Sequence, residues 1–145
     1  MKIKNAEIFN LKKVDSTNIE AQRFLKRKKV ISPIWIVAEE QTSGKGRGQN
    51  KWISNKGNLF ATLILPISFD IKKLPILSCA VSLAIFECIK FFIEDDKFLK
   101  IKWPNDILFK NSKLSGVLIE NSLSPDFNYS IIGVGINTNS SPSNL

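Results

Sequence analysis

The sequence predicts a mixed α/β domain, a largely antiparallel sheet backed by helices, and three observations lead there. Seven short β-branched or aromatic runs and two longer helical runs follow one another in the order β-α-β-β-α-β-β-β-β. Several of the strand runs are joined by short polar turns, which connect antiparallel neighbours, whereas parallel strands need long crossovers. The chain is 145 residues long, the size of one domain that buries roughly 70% of its unfolded surface.

Residues 8–14 read as the first strand. Thr17-Asn18-Ile19-Glu20 has the form of a capping box and predicts a helix from Thr17 to about Lys29. Ile19, Phe24 and Leu25 are its candidate buried positions, and Lys26, Arg27, Lys28 and Lys29 crowd its last turn, where cations suit the helix dipole. Residues 34–38 form the second strand, followed by a glycine-rich polar loop over 39–51. Residues 59–65 are a strand stopped at Pro66. Residues 74–93 form the longest helix, with Leu77, Ala80, Val81, Ala84, Cys88 and Ile89 at core spacing. Strands follow at 97–102, 107–109, 114–120 and 129–134, with turns at Trp103-Pro104-Asn105-Asp106 and Lys110-Asn111-Ser112-Lys113. Residues 139–145 read as a loop-like tail. No internal repeat, low-complexity tract or linker divides the chain.

Composition excludes several chemistries. There is no histidine, which removes Ser-His-Asp and Cys-His catalysis and histidine metal sites. Cys79 and Cys88 are too few for a zinc site or a disulfide framework, and their apolar neighbours predict plain core thiols. No secretory h-region or uninterrupted apolar span is visible, so a cytoplasmic protein without membrane contact is expected. The net charge of +8 is uneven: residues 1–51 carry 12 lysines and arginines against five acids, the rest nine against eight. That surplus is open to three functional readings, namely nucleic acid, an anionic small substrate, or an acidic protein partner, and to the bland one of lysine-rich usage across a whole proteome.

Four segments carry candidate chemistry. In Gly44-Lys45-Gly46-Arg47-Gly48, glycines let the backbone bend close to a ligand, and Lys45, Arg47 and Lys51 add charge. The spacing is neither a P-loop nor a dinucleotide fingerprint, so the alternatives are an anion-holding loop and a surface loop with incidental charges. Asn105 and Asp106 either satisfy their own turn or, through Asp106, offer a carboxylate to Mg²⁺ beside a nucleotide. Lys113 points to solvent or reaches a site as a point charge, and Gly116 within a strand marks a bulge or a close approach to the backbone. Gly133-Val134-Gly135-Ile136-Asn137 either turns the strand end or admits a flat ligand, with Asn137 at a base edge.

In this order, Ser16-Thr17-Asn18, Glu39-Glu40-Gln41-Thr42 with Gly44-Lys45-Gly46-Arg47 and Trp52, Lys102-Trp103-Pro104-Asn105-Asp106, Lys113-Leu114-Ser115-Gly116 and Gly133-Val134-Gly135-Ile136-Asn137 resemble the ordered motifs of biotin–protein ligases over residues 8–139. The resemblance implies a class II synthetase-like catalytic fold shared with lipoate ligases. It implies joining of biotin to ATP as biotinyl-5′-AMP, then transfer to one lysine of a biotin carboxyl carrier domain, with Mg²⁺ accompanying ATP. Such chemistry suits a chain without histidine, because a carboxylate ionised at pH 7 needs no base before attacking phosphorus.

Carried over by motif, Ser16, Thr17, Asn18 and Gln41 would bond the ureido ring, and Gly44, Lys45, Gly46 and Arg47 would close over biotin and the adenylate. Arg47 and Lys113 would be the catalytic cations, Lys113 also touching biotin. Gly116 would let biotin lie near the backbone, Trp52 and Asn137 would border adenine, and Asn105 and Asp106 would serve the ATP–Mg²⁺ end.

The chain departs from relatives at Lys45, where many carry arginine, and at Gly48-Gln49-Asn50. It also stops soon after Asn137, where relatives continue with further helices and an SH3-like barrel. The expectation is one catalytic domain, incomplete at its C-terminus, with neither a preceding winged helix nor operator-specific DNA binding, and with a homodimer left open. Lipoate or octanoate transfer on the same fold, and a truncated biotin binder without turnover, are the alternatives.

Overall fold

A computed structural model describes residues 6–139; of the tail expected over 139–145, residues 140–145 lie outside them. The strands are β1 (Glu7–Val14), β2 (Ile34–Gln41), β3 (Leu59–Pro66), β4 (Leu99–Lys102), β5 (Asp106–Phe109), β6 (Ser112–Leu123) and β7 (Asn128–Ile136). They form one sheet in the order β1-β2-β3-β7-β6-β5-β4. Helix α1 (Thr17–Arg27) crosses between β1 and β2, and α2 (Leu74–Lys90) lies between β3 and β4. The crossover through α1 makes β1 and β2 parallel; every other pair is antiparallel. The mixed, largely antiparallel sheet expected from the short turns is therefore present. At the β5–β6 turn, Lys110 and Asn111 both take positive φ, 49° and 65°, the geometry that lets a two-residue hairpin match the strand twist.

The helices cover opposite faces. Ala21 of α1 packs with Ile34 and Ile36 of β2, Ile64 of β3, and Tyr129 and Ile131 of β7. Leu77, Val81 and Ile85 of α2 pack with Leu63, Val117, Ile132 and Val134. Because side chains alternate along a strand, Thr62, Gly133 and Gly135 share the α1 face with Ile64 and Ile131. The register places Gly116 opposite Gly135 and Leu118 opposite Gly133, so those two also lie on the α1 face. Small residues thus gather on the sheet beside the N-terminus of α1.

Four local expectations are corrected. Thr17 and Glu20 form no capping box: Thr17 is already helical, Ser16 holds the N-cap position, and no side chain of Ser16 caps the helix. Glu20 instead reaches Arg23 and Arg27, while the Thr17 N–H finds Gln41 on β2. Helix α1 ends at Arg27 rather than Lys29 because Val30 is drawn into the core. Helix α2 keeps Leu77, Val81 and Ile89 inward as expected, but its buried stripe is shifted toward Ser78 and Ser82, one turn apart, which both donate to the Pro104 carbonyl. That side is pinned inward, and Ala80, Ala84 and Cys88 turn outward. Cys79 and Cys88 are consequently both exposed, not core thiols.

Candidate functional site

On the α1 face, a small cleft is lined by Ser16, Thr17 and Asn18 from the start of α1, Gln41 from the end of β2, and Lys45, Gly46, Arg47 and Trp52 from the loop. Asn105, Lys113 and Gly116 complete it with Leu118, Gly133 and Gly135. Five sequence segments that are far apart in the chain therefore converge on one place.

Hydrogen bonds hold the polar wall rigid. The Thr17 N–H donates to Gln41 Oε1 at 2.8 Å, satisfying a helix N-terminal donor from a neighbouring strand. Gln41 Nε2 donates to Ser54 Oγ at 3.1 Å. Thr62 Oγ1 lies 2.8 Å from Thr17 Oγ1 and 2.7 Å from Asn18 Oδ1. Asn18 Nδ2 donates to Glu120 at 2.9 Å, and Glu120 accepts Lys45 Nζ at 2.8 Å. Burial pushes the Glu120 carboxyl up, and hydrogen bonds from Lys45, Asn18 and Gln22 outweigh this and hold it below its usual value.

The glycines serve protein groups. A methyl at Gly133 would collide with the Asn18 amide, and methyls at Gly116 and Gly135 would collide with the Trp52 indole. The flat group lying against these backbones is thus Trp52. Lys113 Nζ stands 5.4 Å from the centre of that ring. The indole leaves a cleft of about 50 Å³, far below the ~300–1,000 Å³ of small-molecule pockets. Gly44 does not line the cleft; it is buried where a side chain would strike the Trp52 carbonyl and Ser54 Oγ.

The cleft opens into a groove of about 900 Å³, lined by Arg47, Lys51, Lys102, Asp106, Lys113 and Asn137 among others. Four cations face one carboxylate there. Lys113 Nζ is 2.8 Å from Asp106 Oδ1. Arg47 donates to Asn105 Oδ1 at 3.1 Å, and Asn105 is itself clamped to β6, its Nδ2 donating to the Val117 carbonyl at 2.8 Å and its own carbonyl accepting the Val117 N–H. Asn137 Nδ2 donates to the Lys113 carbonyl at 3.0 Å while its Oδ1 accepts from Asn58. Asn137 thus braces the strand that presents Lys113. Lys113, Arg47, Trp52, Asn105 and Gly46 line both spaces, so two of the four cations, Arg47 and Lys113, sit where cleft and groove meet.

Among the described residues no group of three or more histidines, cysteines or acids could hold a metal ion. Asp106 is the one acid lining the groove, and its Oδ1 is held by Lys113 Nζ.

Sequence reasoning missed Thr62, Glu120, Ser54 and the packing role of Gly133 and Gly135. A signal existed for two of them. Thr62 is the one hydroxyl in the apolar run of residues 59–65, and Glu120 is the one acid ending the run of residues 117–120.

Comparisons with known proteins follow the same lines. A family model described as the biotin/lipoate A/B protein ligase family matches residues 11–137. The biotin–[acetyl-CoA-carboxylase] ligase of Paracoccus denitrificans is 34% identical over 133 residues, covering 91% of this chain and 55% of that protein. The crystal structure of the Leishmania major biotin protein ligase with biotinyl-5-AMP superposes with a TM-score of 0.81 at 30% identity, over 96% of this chain and 60% of that one. The Aquifex aeolicus biotin protein ligase in complex with biotin and ATP has a TM-score of 0.65 at 36% identity, over 94% of this chain and 55% of that one. The chain spans little more than half the length of these relatives.

Proposed function

The chain belongs to the biotin/lipoate A/B protein ligase family, and from that premise we propose that it activates biotin with ATP and passes it to a lysine of a biotin carboxyl carrier domain. The observation that carries this reading is the junction of a polar cleft with a cationic groove, with Arg47 and Lys113 lining both. A biotin carboxylate at that junction and an ATP polyphosphate in the groove would meet beside those two residues.

In the first step the carboxylate oxygen attacks the α-phosphorus, and pyrophosphate leaves. The nucleophile is already ionised, so the site supplies alignment and positive charge. Lys113 is the catalytic residue for charge on the transferring phosphoryl group. Arg47 is the cation for carboxylate and phosphate. In the second step the carrier's lysine amine attacks the acyl carbon, AMP leaves, and the amine's proton passes to solvent. Once the Trp52 indole moves off Gly116 and Gly135, where it fills the cleft in this structure, Ser16, Thr17, Asn18 and Gln41 supply the mixed donors and acceptors a ureido ring needs, with Gly44, Lys45, Gly46 and Gly116 shaping the loop and floor around it. Trp52 and Asn137 border the adenine end, with Asn105 and Asp106 toward the phosphates. Mg²⁺ would arrive with ATP and neutralise phosphate charge, Asp106 being the nearest carboxylate. Lys51 and Lys102 add to the groove's attraction for polyphosphate, so part of the +8 charge has a small-molecule use without nucleic acid. No helix among the described residues is long and apolar enough to cross a membrane, and ATP as substrate suits a cytoplasmic location.

The test is pyrophosphate release by the purified chain with ATP, Mg²⁺ and biotin, with lipoate as control. Biotin-dependent release is the expected result. Release with lipoate and not biotin would transfer the chain to the sister activity. Biotin binding without release would make it a binder, and neither binding nor release would overturn the reading.

A further inference from the structure

The glycine loop is tied to the cleft at both of its ends. Toward its C-terminal end, Ser54 Oγ takes the Gln41 Nε2 proton and bonds the Trp52 carbonyl. Toward its N-terminal end, Lys45 Nζ reaches Glu120 on β6. Between these anchors the loop closes on itself: the Gly46 N–H donates to the Asn50 carbonyl and the Trp52 N–H to the Gly44 carbonyl, each within 2.9 Å. Glu120 divides its oxygens, Oε1 to the loop and Oε2 to Asn18. A carboxylate only accepts, so Asn18 must turn its NH₂ to Glu120 and its oxygen to Thr62. Thr62 then donates to Asn18, leaving its lone pairs for Thr17. One carboxylate thereby sets the hydrogen-bond polarity of the cleft wall and holds the loop above it.

We infer that Glu120 is a positioning residue that latches the 44–52 loop, through Lys45, to the same amide that orders the cleft floor. The Lys45 charge is therefore directed to the protein, and arginine at that position could make the same bond. The consequence for ligand retention rests on the function proposed above; the latch itself does not.

The test uses E120Q, K45M, K45R and the double variant K45M/E120Q. Glutamine keeps an acceptor for Asn18 and loses the charge for Lys45, so the fold is retained while the latch is cut. The first readout is hydrogen exchange in the absence of ligand. A charge-assisted bond at the exposed rim of the cleft predicts roughly three- to fivefold faster exchange at the Gly46 and Trp52 amides in E120Q, with Ile64 and Ile132 unchanged. K45M should match it, K45R should resemble the wild type, and the double variant should be no faster than either single one. The second readout is loss of bound biotinyl-5′-AMP, expected roughly three- to fivefold faster in E120Q and K45M. Wild-type exchange in E120Q, or additive effects in the double variant, would overturn the latch. If the wild type binds no biotinyl-5′-AMP, the ligand reading fails while exchange still decides the latch.

Discussion

Gly133→Ala gives a direct measure of how tightly the site is built. The new methyl would point from β7 at the Asn18 side chain, which stands too close to accept it. Backbone on a central strand cannot yield, since β7 is paired on both sides, so Asn18 must move. Overpacking of this kind costs about 1–3 kcal/mol. Moving Asn18 also weakens its bonds to Glu120 and Thr62, and a buried polar group left unpaired costs about 1–3 kcal/mol. Together they predict a loss of about 2–6 kcal/mol. With an m-value of about 2 kcal/mol/M, the urea midpoint should fall by roughly 1–3 M. Gly48→Ala is the control: its φ is +63° and no atom lies within 4 Å of a new Cβ, so it carries backbone strain alone, about 1 kcal/mol. Asn18→Ala should be destabilising by itself, and Gly133→Ala added to it should cost little more, because the colliding amide is gone. A Gly133→Ala change below about 0.5 kcal/mol, or full additivity with Asn18→Ala, would refute this account of the glycine.

Three further outcomes are expected. Lys113→Ala should fold normally and lower adenylate formation by about 10²–10³-fold in a pyrophosphate assay; unchanged turnover would remove Lys113 from the chemistry. The hydrogen bond from Arg23 holds the Asp15 carboxyl below its usual value of 3.8. Its stabilisation is therefore complete above pH 3.8 and is lost as pH falls through the lower folded value; the stability gap between wild type and Asp15→Asn, followed by acid titration, should close over that range. Both cysteines are exposed, so a thiol reagent should modify two groups per folded chain without denaturant, whereas protection until unfolding would contradict the shifted stripe of α2.

The element order was legible because it rests on local rules. Alternating apolar runs and polar turns fix strand and turn positions within a few residues, and every one of the seven strands is found close to its expected place. The shift in the buried stripe of α2 was not legible. An apolar helix of this composition offers several faces of similar hydropathy, and what selects among them is Ser78 and Ser82 bonding the Pro104 carbonyl, a contact more than 20 residues away in sequence. The capping box failed for the same reason. Thr17 and Glu20 had the right spacing, yet Gln41, 24 residues downstream, competes for the Thr17 N–H and wins.

By itself, the sequence determined the strand order of events along the chain, the absence of histidine chemistry, and the identity of most residues that line the cleft. Those follow from composition, periodicity and motif order, which are properties of the chain read in one dimension. Tertiary structure alone decided what each residue does with its polar atoms. Lys45 faces Glu120, Asp106 pairs with Lys113, Asn137 braces β6, and Gly133 and Gly135 make room for Asn18 and Trp52. The physical reason is that a side chain's partner is set by sheet register: Gly116 meets Gly135 and Leu118 meets Gly133 only when β6 and β7 pair in this alignment, and a shift of one residue would turn the whole set to the opposite face.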